Sequence, residues 1–404
     1  MARDNILIPE QFGPLQGMRI VSTGFYLAQP FAASLAAEMG AEVIHVERPK
    51  VGDPYRMWRA DGTHGYGFMQ ERRNMLCVTL DFSQPRGRDL FIKLLGETDI
   101  WMESSKPGSL AKFGLGDESV LKAHPRLIVT HVSGFGQSGD PDYVSRPAYD
   151  SIGQAFSGMM YQNGEVDRSP YRAQPDSGDY MTASYALWSS LAAYIRMLKS
   201  GKGQSIDVAI FEVVHKHLGP TMLEYFQEGI VRERHGNKST FNQPMDCFRA
   251  KDGWMMIVAM FAQFDRLCEL MGLDPRQWRP IHLGNMNTPQ ALEFDRALRK
   301  WVGEQTVDDV VRLLIDNGVP CAKVQSSKDV ADHPHYQARQ VHIEWDDGMS
   351  GRVKGLGVVP KFTDTPGKIW RGAVSLGHDN ELVYGKLLGV ETAELEQLQR
   401  DEVV

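Results

Sequence analysis

The sequence predicts an α/β fold in which a large parallel-sheet domain carries a smaller inserted α+β domain. Three observations predict it. Short apolar runs alternate with helical patterns over the first 135 residues, which implies a parallel sheet with helices on both faces. The style of the chain then changes to a hairpin followed by helices. Finally, 404 residues are too many for one ordinary hydrophobic core.

Met18–Thr23 and Glu42–Glu47 read as strands, and Phe31–Met39 between them has helical apolar spacing closed by Gly40. Leu76–Leu80, Asp99–Met102 and Leu127–Val132 read as further buried strands, with a helix at Arg86–Gly96. A long helix is expected at Tyr180–Lys199, ended by Gly201, then a strand at Ser205–Val208 and another helix. Asp246–Ala250 and Trp254–Met260 flank Lys251-Asp252-Gly253, a hairpin signal. In Val307–Asn317 the residues Val307, Val310, Val311 and Leu314 share one face, with Thr306 placed to cap the start and Gly318 the end. Cys321–Gln325 resembles a returning strand. The expected division is a large domain of residues 1–229 and 326–404, with residues 230–325 as the insert.

Apolar residues form 42% of the chain and charged residues 24%, the composition of a soluble globular protein. The net charge is −7 and no Lys/Arg block could track a phosphate backbone, so nucleic acid is not an expected partner. No signal-peptide core and no run of about 20 apolar residues is present, so no membrane association is expected. Cys77, Cys247, Cys268 and Cys321 form no CxxC pair and read as reduced thiols of a cytoplasmic protein.

Several motifs have plainer readings. Gly134-Phe-Gly136-Gln-Ser-Gly139 matches GxGxxG after a strand, but Asp140-Pro141-Asp142 follows where a pyrophosphate-binding helix should start. A nicotinamide oxidoreductase is therefore the less favoured class. His215 and His217 stand two apart on a helix and share no face, and His333 and His335 sit beside no ligand cluster, so no metal is expected. Lys106 and Lys112 follow a strand end, and Arg48 another, where open α/β sheets bind ligands. Solvated surface is the plainer reading for all three. Asp179, in Pro175-Asp-Ser-Gly-Asp179-Tyr, is expected as the N-cap of the long helix, whose amides would keep the carboxylate ionised.

From Pro14-Leu-Gln-Gly-Met-Arg-Ile-Val and Gly40-Ala-Glu-Val-Ile-His-Val-Glu47 onward the chain resembles the class III CoA-transferases. The likeness continues at Arg72-Arg-Asn74, Ser133-Gly-Phe-Gly-Gln137, Pro147-Ala-Tyr-Asp-Ser-Ile-Gly-Gln-Ala-Phe-Ser-Gly158 and Gln162-Asn-Gly-Glu-Val-Asp167. Pro360-Lys-Phe and Ile369-Trp-Arg-Gly372 extend it nearly to the C-terminal end. The match looks most like the L-carnitine CoA-transferase branch. The resemblance implies a Rossmann-like large domain that binds CoA, built from both chain ends, and an interlocked homodimer. It also implies an acyl-CoA and a small carboxylic acid as substrates, with CoA as carrier and no tightly bound cofactor.

The family's nucleophilic aspartate matches Asp179, and its CoA-phosphate contacts map onto Lys106 and Lys112, the latter one position before the aligned Phe113. Leu27, Ala28, Arg48, Arg72, Arg73 and Asn74 fall on segments that line the CoA groove in relatives. Where oxalate-using members carry a mobile glycine lid, this chain reads Met260-Phe-Ala-Gln263, which argues against oxalate. Backbone amides near Asp179 are expected to stabilise oxyanions. The expected acid is of carnitine or betaine type, with aromatic or 2-hydroxy acids as rivals.

Overall fold

The computed structural model describes residues 5–57, 65–239, 242–284 and 287–404. Strands β1 (Arg19–Ser22), β2 (Glu42–Glu47), β3 (Met75–Thr79), β4 (Ile100–Glu103), β5 (Ile128–Ser133) and β6 (Ser205–Ala209) form one sheet. Their order is β3-β2-β1-β4-β5-β6, and every pairing is parallel. The order reverses direction between β1 and β4, and that is where such sheets open a crevice.

The strands are apolar on both sides because both faces are covered. Successive residues of a strand point to opposite faces. Val21, Ile44, Val78, Trp101 and Val129 accordingly fall in one core with Phe91, Leu94 and Leu95 of the helix Pro85–Gly96. Their neighbours Ile20, Val43, Cys77, Ile100 and Ile128 fall in the other. That second core is closed by the helix Ala28–Glu38 packed on the helix Ser177–Ser200. The facing residues include Ala32, Ala33, Ala36, Ala183, Ala186 and Ala193, so the two backbones approach closely.

The C-terminal return of the chain finishes the sheet in a way the sequence did not announce. β3 is an edge strand, and its outward amides need partners. Cys77 N–H donates to Asp379 Oδ2 at 2.7 Å and Thr79 N–H to Asn380 Oδ1 at 2.9 Å. A hairpin of β10 (His342–Asp347) and β11 (Gly351–Leu356), also unannounced, adds Trp345 to the buried surface.

Contacts within the chain divide it into residues 1–159, 172–220 and 337–404 as one unit and 160–171 with 221–336 as a second. The second holds the antiparallel strands β7 (Met245–Arg249), β8 (Trp254–Val258) and β9 (Cys321–Lys323) in sequential order. Phe248, Met255, Ile257, Phe264, Phe294, Leu298, Val310 and Leu314 form its core. Thr306 Oγ1 accepts the Asp309 N–H and caps the helix Val307–Asp316. After β8, the Phe261 N–H donates to His282 Nε2 at 2.6 Å, and Gln263 Oε1 accepts the Met260 N–H. The Met260-Phe-Ala-Gln263 stretch is thus pinned by side chains.

Candidate active site

A cleft of about 490 Å³ lies in the large unit, outside the carboxyl ends of β1, β4 and β5. Residues 25–29 follow β1 and line one wall, Ser104 to Pro107 follow β4, and Ser133 and Gly134 end β5. Val144 to Tyr149 and Ile210 complete the lining, together with Asp179.

Asp179 is not the helix cap that the sequence suggested. The helix begins at Ser177, Asp176 takes the cap position, and Asp179 stands in the first turn. The opening amides are capped from elsewhere in the fold. Asp150 Oδ1 accepts Gly178 N–H at 2.8 Å and Asp179 N–H at 3.2 Å, while its Oδ2 accepts Gln154 Nε2–H at 2.8 Å. The nearby amides expected to serve an oxyanion are therefore engaged by Asp150, and that of Tyr180 by Asp176 O. The expected steadying of the Asp179 charge is overturned as well. Burial, followed by the charges of Asp150, Asp176 and Glu71, pushes its carboxyl up to about 7. Asp179 Oδ1 is buried with no hydrogen-bond partner among the described residues.

The other acids nearby are all engaged. Asp176 pairs with Arg172 at 2.9 Å. Glu71 accepts Tyr180 Oη–H at 2.6 Å and Tyr55 Oη–H at 3.1 Å. Of this cluster, Asp179 is the acid that both lines the cleft and keeps a carboxylate oxygen unengaged.

Lys106 is exposed and lines the cleft, and its loop is held from below. Glu103 Oε2 accepts Ser105 N–H at 2.6 Å, and Glu103 Oε1 meets His131 Nδ1. Burial alone would lower the His131 imidazole, but bonds to Asp117 and Glu103 push it up to about 10. The loop therefore rests on a cation held between two carboxylates. Leu27 and Ala28 also line the cleft. Lys112, in the turn Leu110–Phe113, and Arg48, after β2, are exposed and lie outside its lining.

Arg72, Arg73 and Asn74 are buried and turn inward. Arg72 binds Asp53 at 2.9 Å and the Tyr26 carbonyl. Arg73 pairs with Glu38 and donates to Leu356 O at 2.6 Å. Asn74 donates to Lys368 O at 2.7 Å and accepts Trp370 N–H at 2.8 Å, joining the C-terminal return to the sheet.

Arg146 and Tyr149 are among the lining residues that carried no assignment from sequence. Arg146 supplies a second cation to the cleft, its guanidinium 3.9 Å from the Tyr143 ring centroid. Tyr149 precedes Asp150 in the Pro147-Ala-Tyr-Asp segment, and an aromatic directly before the capping acid was the available signal. The GxGxxG run is structural. A Cβ on Gly134 would stand 2.2 Å from Ala148 Cβ, and Gln137 N–H donates to Asp207 Oδ2 at 2.7 Å instead of facing a phosphate.

The cleft at the switch point thus holds two cations, Lys106 and Arg146, and Asp179, an acid with an unengaged oxygen. The chain belongs to CoA-transferase family III, whose profile matches residues 15–380. It is 40% identical over 398 residues to the bile acid CoA-transferase BaiK of Clostridium scindens, covering 96% of this chain and 89% of that one. It is 34% identical over 398 residues to the L-carnitine CoA-transferase of Proteus mirabilis, covering 96% of each. The crystal structure of a CAIB/BAIF family protein from Brucella suis superposes with a TM-score of 0.82 at 28% identity, covering 93% of this chain and 100% of that one. The protein is thus a class III CoA-transferase, an enzyme for which CoA is the carrier passed between substrates. No helix among the described residues is long and apolar enough to cross a membrane.

The raised Asp179 carboxyl has a stability consequence of definite sign. A carboxyl near 7 in the fold and near 3.8 when unfolded binds its proton more tightly in the native state. Its contribution is complete below about pH 4 and is lost as pH rises through 7. Asp179→Asn removes that penalty, so its Tm relative to the native protein should increase from pH 4 to pH 8, measured by calorimetry. A constant difference would show that the Asp179 carboxyl is not raised.

Proposed function

We propose that this enzyme moves CoA from an acyl-CoA to a carboxylic acid through covalent intermediates on Asp179. The observation that carries the reading is the unengaged Asp179 Oδ1 in the cleft, where Asp150 and Asp176 both have partners. The Asp179 carboxylate attacks the thioester carbonyl, the C–S bond breaks, and an aspartyl–acyl anhydride and CoA thiolate result. The thiolate attacks the aspartyl carbonyl, which releases the first acid and leaves an aspartyl-CoA thioester. The carboxylate of the second acid attacks that thioester, expelling the thiolate and forming a new anhydride. The thiolate then takes the new acyl group and frees Asp179. Thioester energy is conserved throughout, so neither ATP nor an external redox partner enters the balance. Lys106 and Arg146 are the cations suited to hold CoA phosphates at the rim.

The acid is read as one with an onium or bulky apolar body. Phe25, Tyr26 and Tyr149 line the cleft, and aromatic faces hold a quaternary ammonium by cation–π attraction, which supports a carnitine-type acid. Leu27, Val132, Val144 and Ile210 in the same lining suit an apolar acid, as does the 40% identity to an enzyme named for bile acids. The homodimer is supported by Trp188, Ile195 and Leu198, on one face of the helix Ser177–Ser200 and at least half exposed in the single chain. Four unpaired cysteines and acyl-CoA substrates fit a cytoplasmic enzyme.

Asp179→Asn should abolish transfer while preserving fold and CoA binding, since an amide forms no anhydride. Acyl-CoA followed by hydroxylamine should mark Asp179 in peptide mass spectrometry, and a mark on Asp176 or Asp150 would sink the assignment. With acetyl-CoA as donor and an acid panel resolved by mass, carnitine and cholate should be converted at least about tenfold more efficiently than oxalate, equivalent to about 1.4 kcal/mol. A preference for oxalate would overturn the substrate class. Sedimentation at nanomolar concentration should show a dimer that persists until unfolding, and a folded monomer would contradict the interlocked form.

A further inference from the structure

The segment of residues 23–29, whose part from Phe25 onward forms one cleft wall, is held with unusual completeness. Trp101 Nε1–H donates to Thr23 Oγ1 at 2.9 Å, and Gly24 N–H donates to the buried Gln29 Oε1 at 2.7 Å. Tyr26 is gripped on both sides of its backbone, its N–H donating to Asp53 Oδ1 and its carbonyl accepting from Arg72. Arg72 and Asp53 form a fully buried ion pair that lies outside the cleft lining. Burial alone would raise the Asp53 carboxyl, yet Arg72 and His45 hold it below the usual carboxylate range, so the pair stays charged.

What this grip enforces is a strained backbone. Tyr26 has a φ of 63°, in the left-handed region that disfavours residues with a Cβ. Such strain persists where the surrounding structure over-determines it, and it clusters at ligand sites. The conformation brings the Tyr26 ring edge-to-face with Tyr149, centroids 5.7 Å apart and planes at 90°. Both rings line the cleft with Asp179. Tyr149 immediately precedes Asp150, whose carboxylate caps the Asp179 helix. The ring pair is therefore tied to Arg72–Asp53 on one side and to the nucleophile's own helix on the other.

We propose that Tyr26 is a specificity-determining residue for the organic acid, its ring and that of Tyr149 forming a fixed wall against which the acid's apolar or onium body packs. Arg72 and Asp53 are positioning residues that act through Tyr26. The inference rests on the reading that Asp179 carries the transfer, and it adds which residues select the acid. A wall coupled to the nucleophile's helix stands in the same cleft as the carboxylate that bonds the acid's acyl group in the anhydride. The carrier is common to all donors and needs no such selection.

The left-handed φ supplies a clean variant. Glycine adopts this φ without a steric penalty, so Tyr26→Gly should fold with a Tm at or above that of the native enzyme and keep both backbone bonds. Kinetics would use acetyl-CoA as donor and propionate, carnitine and cholate as acceptors. Tyr26→Gly should raise KM for the better of carnitine and cholate about tenfold, the loss of a close aromatic contact. KM for acetyl-CoA and for propionate should change less than about twofold. Tyr26→Phe should restore the bulky acid, and Arg72→Lys, which keeps the charge but not the fork, should shift the same acid KM in the same direction. An unchanged ranking of acids in Tyr26→Gly, or an increase in the acetyl-CoA KM alone, overturns the proposal. Transfer absent from the native enzyme would overturn the underlying reading as well, so the two failures are distinguishable.

Discussion

The bond from Asp150 to the first amides of the helix Ser177–Ser200 is the constraint on which the site depends. A helix start ordinarily finds its cap one residue upstream. Here the cap comes from the start of another helix, 28 residues earlier in sequence. Two helix origins are locked together, and Asp179 is carried into the cleft at their junction. The same bond denies Asp179 the amides that would otherwise stabilise its charge and places a second carboxylate beside it. The bond thus sets the position of the proposed nucleophile and adds to the effect of burial on its acidity. A carboxyl of higher pKa is the more nucleophilic once ionised, and a carboxylate oxygen without hydrogen-bond partners has less solvation to shed before it attacks a thioester carbonyl.

The sheet determines where that junction can matter. Reversal of strand order between β1 and β4 separates the loops after those strands, and the cleft fills the gap. Each wall is then stiffened by buried charge. Glu103 and His131 hold the loop after β4, and Asp53 with Arg72 holds the loop after β1. Displacement of either loop would leave a buried charged group one hydrogen bond short, at a cost of roughly 1–3 kcal/mol. Rigidity of this kind suits the proposed reaction, whose anhydride must be held away from water.

Much of the architecture was legible because parallel strands buried on both faces read as short apolar runs. β2 falls on Glu42–Glu47 as the run predicts, and the hairpin of β7 and β8 follows its Lys251-Asp252-Gly253 signal. Illegible parts depend on contacts distant in sequence. The Asp150 cap, the closure of β3 by Asp379 and Asn380, and the inward turn of Arg72 all join segments far apart. Nothing local distinguishes Arg72 from a phosphate-binding arginine. Its partner Asp53 lies on another loop, and burial of the pair decides its role. Asp179 illustrates the reverse case. Local pattern made it a cap, the family resemblance made it a nucleophile, and the geometry moves it one turn into the helix.

The edge of β3 has a consequence for how the chain comes off the ribosome. Its amides find their partners about 300 residues downstream, near the C-terminal end. The residues of the smaller unit end at 336, so all of them are made before the partners of β3. The large sheet cannot close by then, and its strands before β4 wait with an unsheltered border until Asp379 and Asn380 have emerged. During that interval the nascent N-terminal strands are a sticky surface. Truncation of even the last 30 residues should therefore be felt first as a failure of solubility, well before any question of catalysis arises.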